Sequence, residues 1–210
     1  MVPLRASLFC LTAALALAGA GRVAAQDDEL RSWAVGAARG AFDLCRSDAP
    51  DAGQVADHGQ IWGWPRFVPY LEHPRGYQRE AGGESRRSQT VRDKTANVGL
   101  GVQSGRVTSA APANIRYFRC NLDADQPIED DLVKYFTEIY GPPISRSDQG
   151  AVWLIGKGTQ PAPEDAASEE FALKALLAAP VGSSMLRIEL SRERGLDRAK
   201  LSLFRSEPAA

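Results

Sequence analysis

The sequence has few of the residues that metal sites require. It contains two histidines and three cysteines among 210 residues, whereas a tetrahedral zinc site needs about four such ligands close together. It also has no Walker sequence, no Gly-X-Gly-X-X-Gly pattern and no EF-hand loop. We therefore expect no metal site and no cofactor.

The sequence also has no excess of positive or of negative charge. The chain has 25 Lys and Arg against 26 Asp and Glu, for a formal net charge of −1. Nucleic-acid binders usually carry a clustered basic surface. The balance therefore argues against a nucleic-acid partner.

The first 25 residues have the layout of a secretory signal peptide. Arg5 precedes an apolar run from Leu8 to Ala18, and small residues end at Ala25. A basic start, an apolar segment and small residues before the cleavage point are what the export machinery reads. The run is also shorter than the roughly 20 residues that span a bilayer. We expect residues 1–25 to be removed, leaving one domain of residues 26–210 with no transmembrane segment, in a periplasmic or secreted location.

Two cysteines, Cys45 and Cys120, remain after that cleavage. In an oxidising compartment such a pair forms a disulfide by default. Cys45 lies on the apolar stripe of an amphipathic helix predicted over Asp28–Arg46, and Cys120 lies on the core side of a strand pattern over Asn114–Leu122. Packing that stripe against the sheet would bring the two sulfurs together, so we predict a Cys45–Cys120 disulfide.

The remaining apolar patterns predict the other elements. Further helices are expected from the caps Asp51 and Asp125 and over Asp165–Ala178. Strands are expected over Thr95–Gln103, Asn114–Leu122, Ala151–Ile155, Met185–Ser191 and Lys200–Arg205. The predicted fold class is α+β: a single domain with a mostly antiparallel sheet of about five strands, covered by three to four helices and stapled by one disulfide.

The stretch from Glu72 to Lys94 is polar and of mixed charge. It predicts a long exposed loop, and long loops are often binding loops. Within it, Arg86 and Arg87 form either an anion site or ordinary salt bridges with neighbouring carboxylates.

Several aromatic residues and two prolines precede this stretch in the sequence. Trp62, Trp64 and Tyr70 either form an exposed aromatic platform that stacks on a sugar or peptide, or fill the core beside the first helix. Exposed rings with a polar edge suit the first role.

Two functional hypotheses follow. The first is a non-enzymatic binding or interaction protein of the cell envelope, with a protein, peptide or envelope component as its partner. Its binding residues would be Trp62, Trp64, Tyr70, Arg86 and Arg87. The alternative is an envelope-directed hydrolase in which His58, beside Asp57, is the general base. No Gly-X-Ser-X-Gly pattern accompanies that histidine, and the sequence does not indicate an oligomeric state.

Overall fold

The structure, a computed structural model, describes residues 6–46, 51–70, 75–108, 115–147, 150–156, 168–193 and 195–208, and of residues 6–23 the backbone alone. The helices are α1 (Ala6–Cys45), α2 (Ala52–Ile61), α3 (Glu129–Tyr140) and α4 (Glu169–Leu177). The strands are β1 (Val68–Pro69), β2 (Tyr77–Val91), β3 (Lys94–Val107), β4 (Ile115–Ala124), β5 (Ser145–Ser147), β6 (Gly150–Gly156), β7 (Ser184–Glu193) and β8 (Leu196–Ser206). They form one antiparallel sheet in the order β1-β2-β3-β4-β8-β7-β6-β5. The predicted α+β single domain is confirmed.

The prediction of about five strands was wrong, because the described residues form eight. The five expected strands are present as β3, β4, β6, β7 and β8. Two of the additional strands, β1 and β5, have only two and three residues. Such short strands carry no readable alternation of apolar and polar residues.

The largest correction concerns the predicted loop from Glu72 to Lys94. Residues 71–74 lie outside the described residues, but β2 occupies Tyr77–Val91 and pairs with β3 along its length. Most β2 side chains are exposed or half-buried, because β2 lies near the edge of the sheet, where the described helices cover only part of its two faces. A strand in that position needs no alternating apolar residues, so its sequence is typical of a loop. Its partner β3 also continues beyond the predicted end at Gln103, through Ser104 and Gly105 to Val107.

Helices α1, α2 and α3 pack on one face of the sheet, the helix face. The apolar stripe of α1 lies against β3 and β4, where Val98, Leu100 and Val102 are buried. Cys45 and Cys120 are buried in this layer and form the predicted disulfide, with their Cα atoms 6.4 Å apart. The disulfide therefore joins the C-terminal end of α1 to the middle of the sheet.

Helix α3 begins on a cap that comes from elsewhere in the chain. The Asp197 carboxylate on β8 accepts hydrogen bonds from the backbone N–H groups of Ile128 and Glu129, at 2.7 and 2.8 Å. The expected cap, Asp125, instead accepts two hydrogen bonds from Asn97. Sequence proximity identified the right helix but the wrong cap, because an acceptor from a neighbouring strand satisfies the same N–H groups.

Helix α4 lies alone on the opposite face, called here the open face. Ser168 caps it by accepting from the Phe171 N–H, so the helix begins later than the predicted Asp165, which lies outside the described residues. Its buried residues Ala172 and Leu176 pack on β4, β7 and β8 near one end of those strands. The other end of the open face carries no helix among the residues described.

Candidate functional site

The two tryptophans of the predicted aromatic platform are not equivalent. Trp62 at the end of α2 is 63% exposed, whereas Trp64 is 3% exposed and belongs to the helix-face core. The Arg87 guanidinium covers the Trp64 ring at 5.6 Å. A joint platform of both rings is therefore not formed, and Trp64 has the core-filling role that the sequence left open.

Arg86 and Arg87 lie on opposite faces of β2, because successive side chains of a strand alternate. Arg87 points to the helix face and Trp64. Arg86 is on the open face, where its guanidinium pairs with Asp123 at 3.0 Å. The two arginines therefore do not form a common anion site, and each has its own partner.

The Tyr70 side chain lies on the open face, directly over glycine residues of β3. Gly99 and Gly101 of β3 point to this face, and a Cβ atom at Gly101 would overlap the Tyr70 hydroxyl. A Cβ at Gly99 would overlap the Asp123 carboxylate in the same way. The absence of side chains at these two positions of β3 thus lets a ring and a carboxylate lie directly on the backbone.

A groove of about 550 Å³ runs over this part of the open face. A smaller concavity of about 330 Å³ adjoins it and shares Tyr70, Glu84, Arg86, Asn121 and Asp123. We call the two together the sheet-face groove. The larger part is lined by Tyr70, Glu84, Arg86, Asn121, Leu122, Asp123, Glu189, Ser191, Glu193, Leu196, Arg198, Ala199 and Lys200.

The groove lining comes from five adjacent strands whose register places polar side chains side by side. Gly101 pairs with Asn121, Asn121 with Lys200, and Lys200 with Glu189. One row further along, Asp123 pairs with Arg198. Cations and carboxylates therefore alternate across the sheet.

The Tyr70 hydroxyl is held in its protonated form. Burial and the negative charge of Glu84 raise the pKa of Tyr70 to about 12, although nearby Arg79 acts to lower it. The Arg79 guanidinium also lies 5.4 Å from the Tyr70 ring centre. At neutral pH the phenol is thus a hydrogen-bond donor next to a carboxylate, which suits recognition of a polar ligand.

A partly buried ion network separates the groove from α4. Glu169, in the first turn of α4, pairs with Arg119 at 2.8 Å and with Lys200 at 2.8 Å. Its carboxylate also accepts a hydrogen bond from the Tyr77 hydroxyl. Because Lys200 belongs to the groove lining as well, the network fixes one wall of the groove to the helix.

We expect Gly101→Ala to displace Tyr70 from the groove floor. The added methyl group has no room beside the phenol, so the ring must move towards solvent. The pKa of Tyr70 should then fall from about 12 towards the ordinary value of about 10, measured by NMR titration of ring-labelled tyrosine. Gly36→Ala is the matched control, since a Cβ at this exposed helical position meets nothing within 4 Å. An unchanged Tyr70 titration in Gly101→Ala would contradict the described contact.

His58, the general base of the alternative hypothesis, lies exposed on α2 beside the exposed Asp57. Its imidazole makes no hydrogen bond with another described residue, and it lines neither part of the sheet-face groove. The hydrolase hypothesis stays a prediction that no geometry in the described residues favours.

Sequence reasoning selected Tyr70 and Arg86 but missed the rest of the groove. Asn121 and Lys200 lie on the non-core side of strands that were predicted, and Asp123 lies one residue past the predicted end of β4 at Leu122. The feature that would have identified the groove is the polar side of β4 lying next to the glycine side of β3. That feature depends on the strand order, which the sequence did not supply.

Comparison of the chain with protein-family models, curated proteins and solved structures finds no match. In the part of the chain that the structure describes, no helix is both long and apolar enough to cross a membrane. Within the same residues, no group of three or more His, Cys, Asp and Glu side chains is placed to hold a metal ion. The functional proposal therefore rests on the sheet-face groove.

Proposed function

We propose that this chain is an exported, non-enzymatic binding protein of the cell envelope, and that an extended polar peptide lies in its sheet-face groove. The observation that carries the proposal is the continuous groove over five strands with the Tyr70 ring on its glycine floor. The buried disulfide is consistent with an oxidising compartment outside the cytosol.

The size of the groove suits a short segment of chain. Five strands spaced about 4.8 Å apart give a length of roughly 19 Å between β2 and β7. An extended peptide of about six residues covers that distance at about 3.3 Å per residue. The volume of the larger part also lies within the range of about 300 to 1,000 Å³ that is usual for ligand pockets.

The charges of the groove favour a ligand with groups of both signs. Arg198 and Lys200 are near Glu189 and Glu193 at one end, and Arg86 is near Glu84 at the other. Glu84 makes no ion pair with another described residue, so it is open to a cationic side chain. The Tyr70 hydroxyl and the Asn121 amide add hydrogen-bonding groups between the two ends. Complementary charges of this kind determine specificity more than raw affinity.

The test is an NMR titration of the nitrogen-labelled protein with a defined pool of synthetic peptides of about six residues composed of Lys, Glu, Ser and Leu. We expect amide shifts at Gly99, Gly101 and Asn121, because their backbone forms the groove floor. Shifts confined to the exposed surface around Trp62 would overturn the assignment of the groove as the binding site.

Two matched arginine variants sharpen the test. Arg86→Ala removes a groove cation that pairs with Asp123 at 3.0 Å, and we expect roughly tenfold weaker binding, as for the loss of one charge-assisted contact. Arg31→Ala removes an exposed arginine paired with Asp131 at 2.8 Å on the helix face, and binding should not change. An equal loss of peptide affinity in both variants would show that the peptides respond to the overall charge of the protein and not to the groove.

A further inference from the structure

A second concavity, of about 440 Å³, lies on the helix face and is separate from the sheet-face groove. It occupies the region where α1 ends at Cys45 and α3 ends at Tyr140, so the helical cover of the sheet stops short there. We call this concavity the basic cleft. Nothing in the proposed peptide binding depends on it.

The floor of the basic cleft is an aliphatic stripe. Ile155, Leu186 and Leu203 stand directly opposite one another on β6, β7 and β8. All three are only partly buried, whereas Leu201, further under the helices, is 1% exposed. An apolar stripe left open to solvent and rimmed by polar groups is typical of a ligand site.

The rim of the basic cleft is cationic. Arg46 and Arg205 border it, and its lining includes no carboxylate. The Arg46 guanidinium is 3.4 Å from Asp43 and lies over the Tyr140 ring at 5.9 Å. Arg205 is exposed and makes no ion pair with any residue that the structure describes. An anionic group at the rim would therefore meet a guanidinium whose charge is not already neutralised.

We infer that the basic cleft binds a single-chain anionic amphiphile, with the alkyl chain on the Ile155–Leu186–Leu203 stripe and the anionic head at Arg205. The stripe itself offers no hydrogen-bonding side chain, and the Ser184 hydroxyl of the lining lies beside Arg205, at the end where the head group would bind. An apolar stripe with polar groups at one end favours an alkyl chain over a peptide or a sugar. The guanidinium forms paired N–H hydrogen bonds with either a carboxylate or a phosphate, so the head group can be of either kind.

The test is titration calorimetry of the full-length protein with laurate and with dodecyl phosphate, which separates the two head groups. Dodecanol at matched monomer concentration is the neutral comparison. We expect at least one anionic probe to bind roughly tenfold or more tightly than the alcohol. Affinity should also rise roughly tenfold from octanoate to decanoate, because each buried methylene adds apolar contact. Equal binding of the alcohol and both anions, or no binding of any probe, would overturn the inference.

Arg205→Gln tests the site itself. Arg205 is exposed and has no ion pair with a described residue to lose, so we expect the fold to be retained and the binding of the anionic probe to weaken roughly tenfold. Arg205→Lys should restore part of the affinity, since the charge returns without the planar guanidinium. Arg31→Gln, on the exposed side of α1, is the control for non-specific attraction. Methyl NMR shifts of Ile155, Leu186 and Leu203 should accompany binding, and shifts elsewhere alone would contradict the assignment.

Discussion

The double substitution Cys45→Ala/Cys120→Ala is expected to lower the free energy of unfolding by about 4 kcal/mol. The disulfide closes a chain segment of 75 residues, and removing it returns that conformational freedom to the unfolded state. Both sulfurs are buried between α1 and β4, so the contact between the first helix and the sheet is weakened as well.

Denaturant unfolding measures this effect. The midpoint of the oxidised protein should lie well above that of the double variant, and addition of a thiol reductant should bring the wild-type protein close to the variant. The reductant should leave the double variant unchanged, which makes it the control. A wild-type midpoint that does not depend on the reductant would show that the disulfide makes no contribution in solution.

Glu169→Gln is expected to lower the free energy of unfolding by about 3 kcal/mol, in the range for loss of one partner from a buried ion pair. The Arg119 side chain is 7% exposed, and its guanidinium lies 4.8 Å from the Tyr77 ring centre. Without the carboxylate, the Arg119 guanidinium keeps its contacts with the Tyr77 and Tyr117 rings and a hydrogen bond to Ser202 at 3.3 Å, but no described residue supplies it with a counter-charge. The first turn of α4 should then loosen from the sheet.

The next residue in the chain is a matched control for this prediction. Glu170 also lies in the first turn of α4, but it is exposed and pairs with Lys174 one turn away at 2.8 Å. Exposed pairs of this kind contribute little because water screens them. Glu170→Gln should therefore leave the unfolding midpoint nearly unchanged, and a loss equal to that of Glu169→Gln would contradict the role of the partly buried ion network.

The pH dependence of Glu169→Gln has a definite sign. Burial acts to raise the pKa of Glu169, but Arg119, Lys200 and the Tyr77 hydroxyl outweigh it, and the net pKa is lowered. A lowered folded-state pKa means that the carboxylate stabilises the fold above its unfolded value of about 4.3 and loses that contribution as pH falls through the folded value. The difference in the free energy of unfolding between wild type and Glu169→Gln should therefore be largest near neutral pH and should decrease in acid.

Elements that depend on local pattern were predictable. The end of α1, the Asp51 cap of α2 and the stop of α3 at Gly141, whose φ is 81°, all follow from periodicity and cap chemistry. The disulfide was predictable because only two cysteines remained and both lay on core-facing positions. Burial of one face also determined which side of β4 meets the helices.

Elements that depend on neighbours were not predictable. β2 has no apolar alternation because it lies near the edge of the sheet and most of its open face is covered by no helix among the residues described. Arg119 lies on the side of β4 opposite the core-facing Cys120, yet α4 covers that side and the Glu169 carboxylate neutralises the Arg119 guanidinium. In each case the stabilising partner is distant in sequence.

The sequence alone thus determined the class of fold, the disulfide and the C-terminal ends of α1, α3 and α4, since these follow from hydrophobic periodicity, turn residues and cysteine number. Tertiary structure alone decided which polar side chains share a surface. Strand order places the glycine side of β3 beside Asn121 and Lys200. Pairing with β3 makes a strand of the segment that was predicted as a loop, so Arg86 and Arg87 lie on opposite faces of the sheet. Such neighbourhoods depend on hydrogen-bonded register between strands, which no local pattern in this chain encodes.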